Sequence, residues 1–188
     1  MVAFSETGNL IRSTISLAVT IQKGSLIDFE TTGRPRRDGE HEVVTMGYME
    51  GNKVIIMQRK AEEKTQFYEE VRHTLEGLSK PFFSYYADFE KSIFEMELGM
   101  SVRSDEFVDI MEPWKAKAND HGLKWPKLDE LISEPEDYFE EHKISGKDVP
   151  AVWKRYLVTR DDKLVRSIME HCLSDILREA ILLIRYQS

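Results

Sequence analysis

The sequence predicts an α/β domain in which a central sheet of mixed strand direction carries helices on its faces. Short β-rich runs alternate with longer segments of helical period, and one pair of runs is joined by a two-residue turn. The C-terminal region is mostly helical with a wide apolar stripe, and strands alternating with helices in this order call for helices packed on a sheet.

The elements follow in chain order. Ile15, Leu17, Val19 and Ile21 alternate with polar or small residues, so a half-buried strand is expected over 15–21, with "QKGS" as turn material. "SLIDFE" is the next strand. "EVVTMGYMEGNKVIIMQR" reads as a hairpin turning at Gly51-Asn52. Phe67, Val71, Leu75 and Leu78 recur at helical spacing and predict a crossover helix over 64–78. "PFFSYYA" is another strand, a helix runs from Asp88 to Leu98, and "EFVDIM" is a short strand before the helical C-terminal region. The last helix is expected from Asp161 to Tyr186. No repeat or Gly/Pro/Ser-rich linker divides the chain, so residues 1–188 are expected to form one domain with 1–23 as an N-terminal strand extension. "ISEPEDYFEEHKISGKD" is the segment expected to be a mobile insertion.

Composition bounds the function. The 188 residues include 26 Lys+Arg and 34 Asp+Glu, a net charge of −8, with 41% hydrophobic residues. A domain of this size buries roughly 70% of its unfolded surface and needs no disulfide to hold its core. The single cysteine, Cys172, excludes an intramolecular disulfide or a Cys-based zinc cluster and points to the cytoplasm. No apolar run approaches the ~20 residues of a membrane span, and the N-terminus lacks a secretory layout. The acidic balance argues against blanket phosphate neutralisation on duplex nucleic acid. It does not argue against a metal site, which itself requires clustered carboxylates.

Candidate chemistry begins at Asp28 and Glu30. Two residues apart in a strand, they project from one face while Phe29 goes to the other. Carboxylates this close repel unless a cation lies between them or one is protonated. An exposed edge-strand pair is the alternative, against which stand the apolar "LI" before the pair and the Thr-Thr-Gly turn after it. Asp88 follows an apolar strand and opens a helix; the residue type suits an N-cap, and the strand end suits a site. His171 and Asp175, four apart, share a helix face at the border of the stripe formed by Leu164, Ile168, Cys172, Ile176 and their neighbours. A self-satisfied His-Asp pair would account for them equally well. Together Asp28, Glu30, Asp88 and Asp175 offer an oxygen-rich set suited to Mg²⁺ or Mn²⁺ rather than zinc. Two such ions about 3.5–4 Å apart support phosphodiester hydrolysis.

With these residues in view the sequence resembles a known superfamily. "DFETTG" resembles the first motif of the DnaQ-like 3′-to-5′ exonucleases, whose ribonuclease-H-like fold uses four acids in the order Asp, Glu, Asp, Asp (DEDD). "YYADFEKSIFE" is similar to the second motif and "HCLSDI" to the third. The predicted exonucleases of the bacterial YprB type are the nearer likeness, since "ISGKDVPAVWKRYLVTRDDKLVRSIMEHCLSDIL" looks like the C-terminal half of their domain. The resemblance implies a ribonuclease-H-like α/β fold and a hydrolase that removes nucleotides from the 3′ ends of single-stranded DNA or RNA with two Mg²⁺ or Mn²⁺ ions. It implies that Asp28 binds both ions, that Glu30 binds one and orients the attacking water, and that Asp88 and Asp175 complete the shells. His171 would be the general base.

The His-Asp spacing of four, where the superfamily's common histidine class has five, and Cys172 in place of an Asn depart from these patterns. A neutral imidazole is nonetheless a better proton acceptor at neutral pH than a phenol. Thr31, Thr32, Arg34 and Arg36 follow the first motif and are the candidate substrate contacts, with Arg37 beside them. Lys115, Lys117, Lys124 and Lys127 cluster around Trp114 and Trp125, a mixture that suits stacked single strands but also describes solvated loop charges. A nuclease-like domain that binds nucleic acid or protein without turnover is the alternative function.

Overall fold

The computed structural model describes residues 2–33, 41–132 and 144–187. Seven strands form one sheet: β1 (Val2–Thr7), β2 (Leu10–Ser16), β3 (Ser25–Thr31), β4 (Val43–Glu50), β5 (Lys53–Arg59), β6 (Phe82–Ser84) and β7 (Phe107–Asp109). Their order across the sheet is β1-β2-β5-β4-β3-β6-β7. The β3–β6 and β6–β7 pairs are parallel and the others antiparallel, so the sheet is mixed as predicted. The helices are α1 (Thr65–Gly77), α2 (Ala87–Met96), α3 (Glu112–Asp120), α4 (Leu128–Leu131), α5 (Val149–Thr159) and α6 (Asp162–Gln187).

β3 is central and apolar on both faces, which is why its sequence lacks a polar side apart from its two acids. Ile27 and Phe29 join Phe67, Val71, Leu75, Ile93 and Phe94 in a core beneath α1 and α2. Leu26 points the other way, into a core with Trp153, Tyr156, Val165, Ile168, Cys172 and Ile176 of α5 and α6. By the same alternation Asp28 and Glu30 face α6.

Gly47 lies opposite Asp28 in the β3–β4 ladder. A Cβ there would stand 2.6 Å from the Cys172 sulfur and 2.9 Å from Ile176 Cγ1. The missing side chain is therefore what lets α6 settle onto the sheet at the level of Asp28.

Several boundaries differ from the sequence reading. The strand expected over 15–21 ends at Ser16, and a first strand, β1, precedes it. Leu17 and Ile21 donate their amides to Asn52 and Gly51 carbonyls at the β4–β5 turn instead of to a ladder, and Val19 is exposed. β2 pairs with β5, so it is separated from β3 by two strands. β6 stops at Ser84 because the Tyr85 amide donates to Glu179 and the Tyr86 amide to Asp109, side-chain acceptors that replace the ladder. The expected mobile insertion falls largely outside the described residues. No helix of the described residues is long and apolar enough to cross a membrane.

Gly47→Ala should destabilise the fold by about 1–3 kcal/mol through overpacking against Cys172 and Ile176. That corresponds to a melting-temperature loss on the order of 5 °C. Gly77→Ala, where a Cβ meets nothing within 4 Å, should not lower the melting temperature. Paired thermal melts of the two variants check the assignment.

Candidate active site

Asp28, Glu30, Thr31, His171 and Asp175 line one cleft of about 890 Å³. Its far wall is the 144–148 segment that leads into α5, together with Lys127 and Asp129 at the start of α4. Gly146 lies close above the acids: a Cβ there would stand 3.6 Å from His171 Nε2 and 3.9 Å from Glu30 Oε2. Ser145 holds the wall in place, its amide and hydroxyl both donating to Asp148 Oδ2.

The border position read for His171 and Asp175 on α6 is the position they take, half-buried and aimed at β3. His171 Nε2 is 3.5 Å from Glu30 Oε1 and 3.7 Å from Asp175 Oδ2, ionic distances too long for good hydrogen bonds. Arg178, one turn further on, donates from Nη1 to Asp175 Oδ1 at 2.9 Å and from Nε to the Ile132 carbonyl. One oxygen or nitrogen each from Glu30, His171 and Asp175 lie within 4.8 Å of one another. A second set meeting the same limit comprises Asp28, Glu30 and the Cys172 sulfur, so Glu30 belongs to both.

Asp88 is not in this cluster. It occupies the first turn of α2 with its side chain 72% exposed, 3.6 Å from Lys91 Nζ, and it is not the N-cap, a position held by Tyr86. Helical geometry accounts for this placement of Asp88: Ala87, Glu90, Ile93 and Phe94 form the buried face of α2, and Asp88 lies off it. Glu90 is the acid that faces in, 3% exposed. The signal was available in the sequence as the three- and four-residue spacing among Ala87, Glu90, Ile93 and Phe94. Glu179, one turn beyond Asp175, is also buried; Oε1 accepts the Tyr85 amide.

Burial, and then the Asp175 charge, push the Asp28 pKa from 3.8 to about 7. Glu30 is raised well above the usual range by burial and then by Asp28, Asp175 and Glu90. Glu90 and Glu179 are raised in the same direction, each by burial first and by Asp28 next. Burial also raises Asp175, against the pull of His171 and Arg178. The Cys172 thiol is pushed up by burial and the surrounding carboxylates, so it stays protonated and donates toward Asp28. Among the described residues, buried Asp28 Oδ2, Glu90 Oε2 and Glu179 Oε2 have no hydrogen-bond partner. Oxygens left unsatisfied at this depth cost free energy that a proton or a hard cation recovers. The donor set is mostly carboxylate oxygen, which fits Mg²⁺ or Mn²⁺.

Of the candidate substrate contacts, Thr31 lines the cleft, its hydroxyl donating to the Gly33 carbonyl. Thr32 uses its hydroxyl to accept the Glu42 amide, closing the base of the following loop. Arg34, Arg36 and Arg37 lie outside the described residues. In the second basic cluster Lys117, Lys124 and Lys127 are exposed, whereas Lys115 is buried and paired with Asp109.

No curated relative and no solved structure matches the chain. A family model does: RNase_H_2, described as RNase_H superfamily, matches residues 26–186, from β3 through α6. With the acids of β3 and α6 both inside that span, the chain belongs to the RNase H superfamily.

Proposed function

We propose that the protein is a metal-dependent 3′-to-5′ exonuclease acting on single-stranded DNA or RNA. The observation that carries this reading is the convergence of carboxylates from β3 and α6 on an open cleft, with buried Glu90 of α2 within reach of the Asp28 charge, in an RNase H superfamily chain. A cluster of this charge without a catalytic or ion-binding use would be a standing cost to the fold.

Asp28, Glu30 and Asp175 are the proposed ion ligands, with Glu90 in place of Asp88 as the fourth acid. Two divalent ions, when bound, supply Lewis-acid stabilisation of the charge that develops on the phosphoryl group and the leaving oxygen. Glu30, common to both groups of donor atoms, orients the attacking water. His171 Nε2 accepts its proton, and the Arg178 bond to Asp175 fixes the carboxylate beside the imidazole. Lys127 and Lys147 on the cleft wall offset phosphate charge.

End-labelled oligonucleotides with Mg²⁺ or Mn²⁺ provide the direct test, and folded protein that leaves every DNA and RNA strand intact would sink the reading. Glu90→Gln should lower turnover by a factor on the order of 10², while Asp88→Asn should stay within about twofold of the parent. Loss in Asp88→Asn with parental turnover in Glu90→Gln would return the fourth position to Asp88. His171→Ala should depress turnover by about 10²–10⁴-fold with little change in melting temperature; near-normal turnover in the folded variant removes His171 from the chemistry.

Chelated protein should also lose stability as pH rises. Because the folded Asp28 pKa is raised from 3.8 to about 7, the unfolded chain gives up this proton first. The folded state is therefore disfavoured progressively across that interval and by a constant amount above it. Melting temperatures taken in chelator should fall between about pH 4 and 7, and Mg²⁺ or Mn²⁺ should restore most at the upper end.

A further inference from the structure

Beside the acids, Tyr86 and Trp125 expose 43% and 46% of their surfaces. Their ring centroids are 6.3 Å apart and the planes are inclined at 54°. Lys115 lies against both rings, its Nζ 4.9 Å from the Tyr86 centroid and 5.2 Å from that of Trp125. Asp109 fixes the arrangement from below: Oδ2 pairs with Lys115, and Oδ1 accepts the amides of Tyr86 and Met111. Trp125 is held at its edge by the indole N–H donating to Asn119 Oδ1. Tyr86 takes a left-handed backbone, φ 80° and ψ 58°, a conformation unfavourable for a bulky residue.

The pair is joined to elements that carry or adjoin the cleft residues. Tyr86 is the N-cap of α2, which carries Glu90, and follows Tyr85, whose amide bonds Glu179. Tyr85 donates its hydroxyl to the Pro126 carbonyl, so the strand end and the 125–127 segment are tied together. Within three residues of Trp125 that segment reaches Lys127 and Leu128 on the cleft wall.

We propose that Tyr86 and Trp125 form a base-stacking platform for an unpaired nucleotide of the strand whose phosphate enters the cleft; this rests on the nuclease reading and deepens it by naming the residues that hold a base. Two exposed rings held in place from beneath offer aromatic faces to any base, since every base has a π-face and stacking needs no particular hydrogen-bond pattern. A paired base, covered by its neighbours in the duplex, cannot present that face. The platform therefore contributes selectivity for strandedness rather than for sequence.

The test compares Trp125→Ala and Tyr86→Gly with the parent chain; Gly accepts the left-handed backbone at 86. Binding is read by fluorescence anisotropy on labelled single strands in Ca²⁺, with matched strands carrying abasic residues at the 3′ end. Each variant should weaken binding of the normal strand by about tenfold and bind the abasic strand as the parent does. Variants that keep the parent's melting temperature and bind normal strands with parental affinity would overturn the platform. Equal weakening on normal and abasic strands would overturn it too, by assigning the loss to phosphate contacts. Should the parent hydrolyse nothing, the nuclease reading fails while the anisotropy comparison still decides whether bases stack here.

Discussion

The close seating of α6 on the centre of the sheet is the constraint on which the rest of the structure depends. It is possible because Gly47 presents no side chain at the contact, so Cys172 and Ile176 fit against the β4 backbone. From that seat α6 delivers His171, Asp175, Arg178 and Glu179 to the side of β3 that carries Asp28 and Glu30. A helix riding a few ångströms higher would leave the same residues in solvent, with ordinary acidities and no cleft to share.

That seating sets packing against electrostatics. The two apolar cores on either side of β3 supply the favourable burial, and the acids between β3, α2 and α6 oppose it. Arg178 and His171 lie beside Asp175, and they leave Asp28, Glu90 and Glu179 with unsatisfied oxygens. The protein thus resembles others that keep a locally unfavourable arrangement where chemistry is done and compensate for it in the surrounding core.

Much of this was legible in the sequence where one periodicity acted alone. The alternation in "LIDFET" separates the acids from Phe29, and the α6 stripe places His171 and Asp175 at its border; both are local properties of the chain. At Asp88 a strand end followed by Asp suggests a site, whereas the helical face that begins at Ala87 turns Glu90 inward and leaves Asp88 exposed. The end of β6 was illegible for a different reason: it is set by Glu179, 94 positions away, and no local pattern carries that information. The strand read at 15–21 failed because alternation persists through Leu17 and Ile21 although their amides bond the neighbouring turn.

The Tyr85–Glu179 hydrogen bond has a consequence for biogenesis. β3 through β7 leave the ribosome well before α6 does, so the growing chain at first holds Asp28, Glu30 and Glu90 without the acids of α6. The mutual repulsion of the full set arises only when α6 docks, by which time both faces of the sheet have hydrophobic partners to meet. Assembly of the cleft thereby waits for α6 to dock, and a nascent chain that lacks α6 also lacks His171 and Asp175.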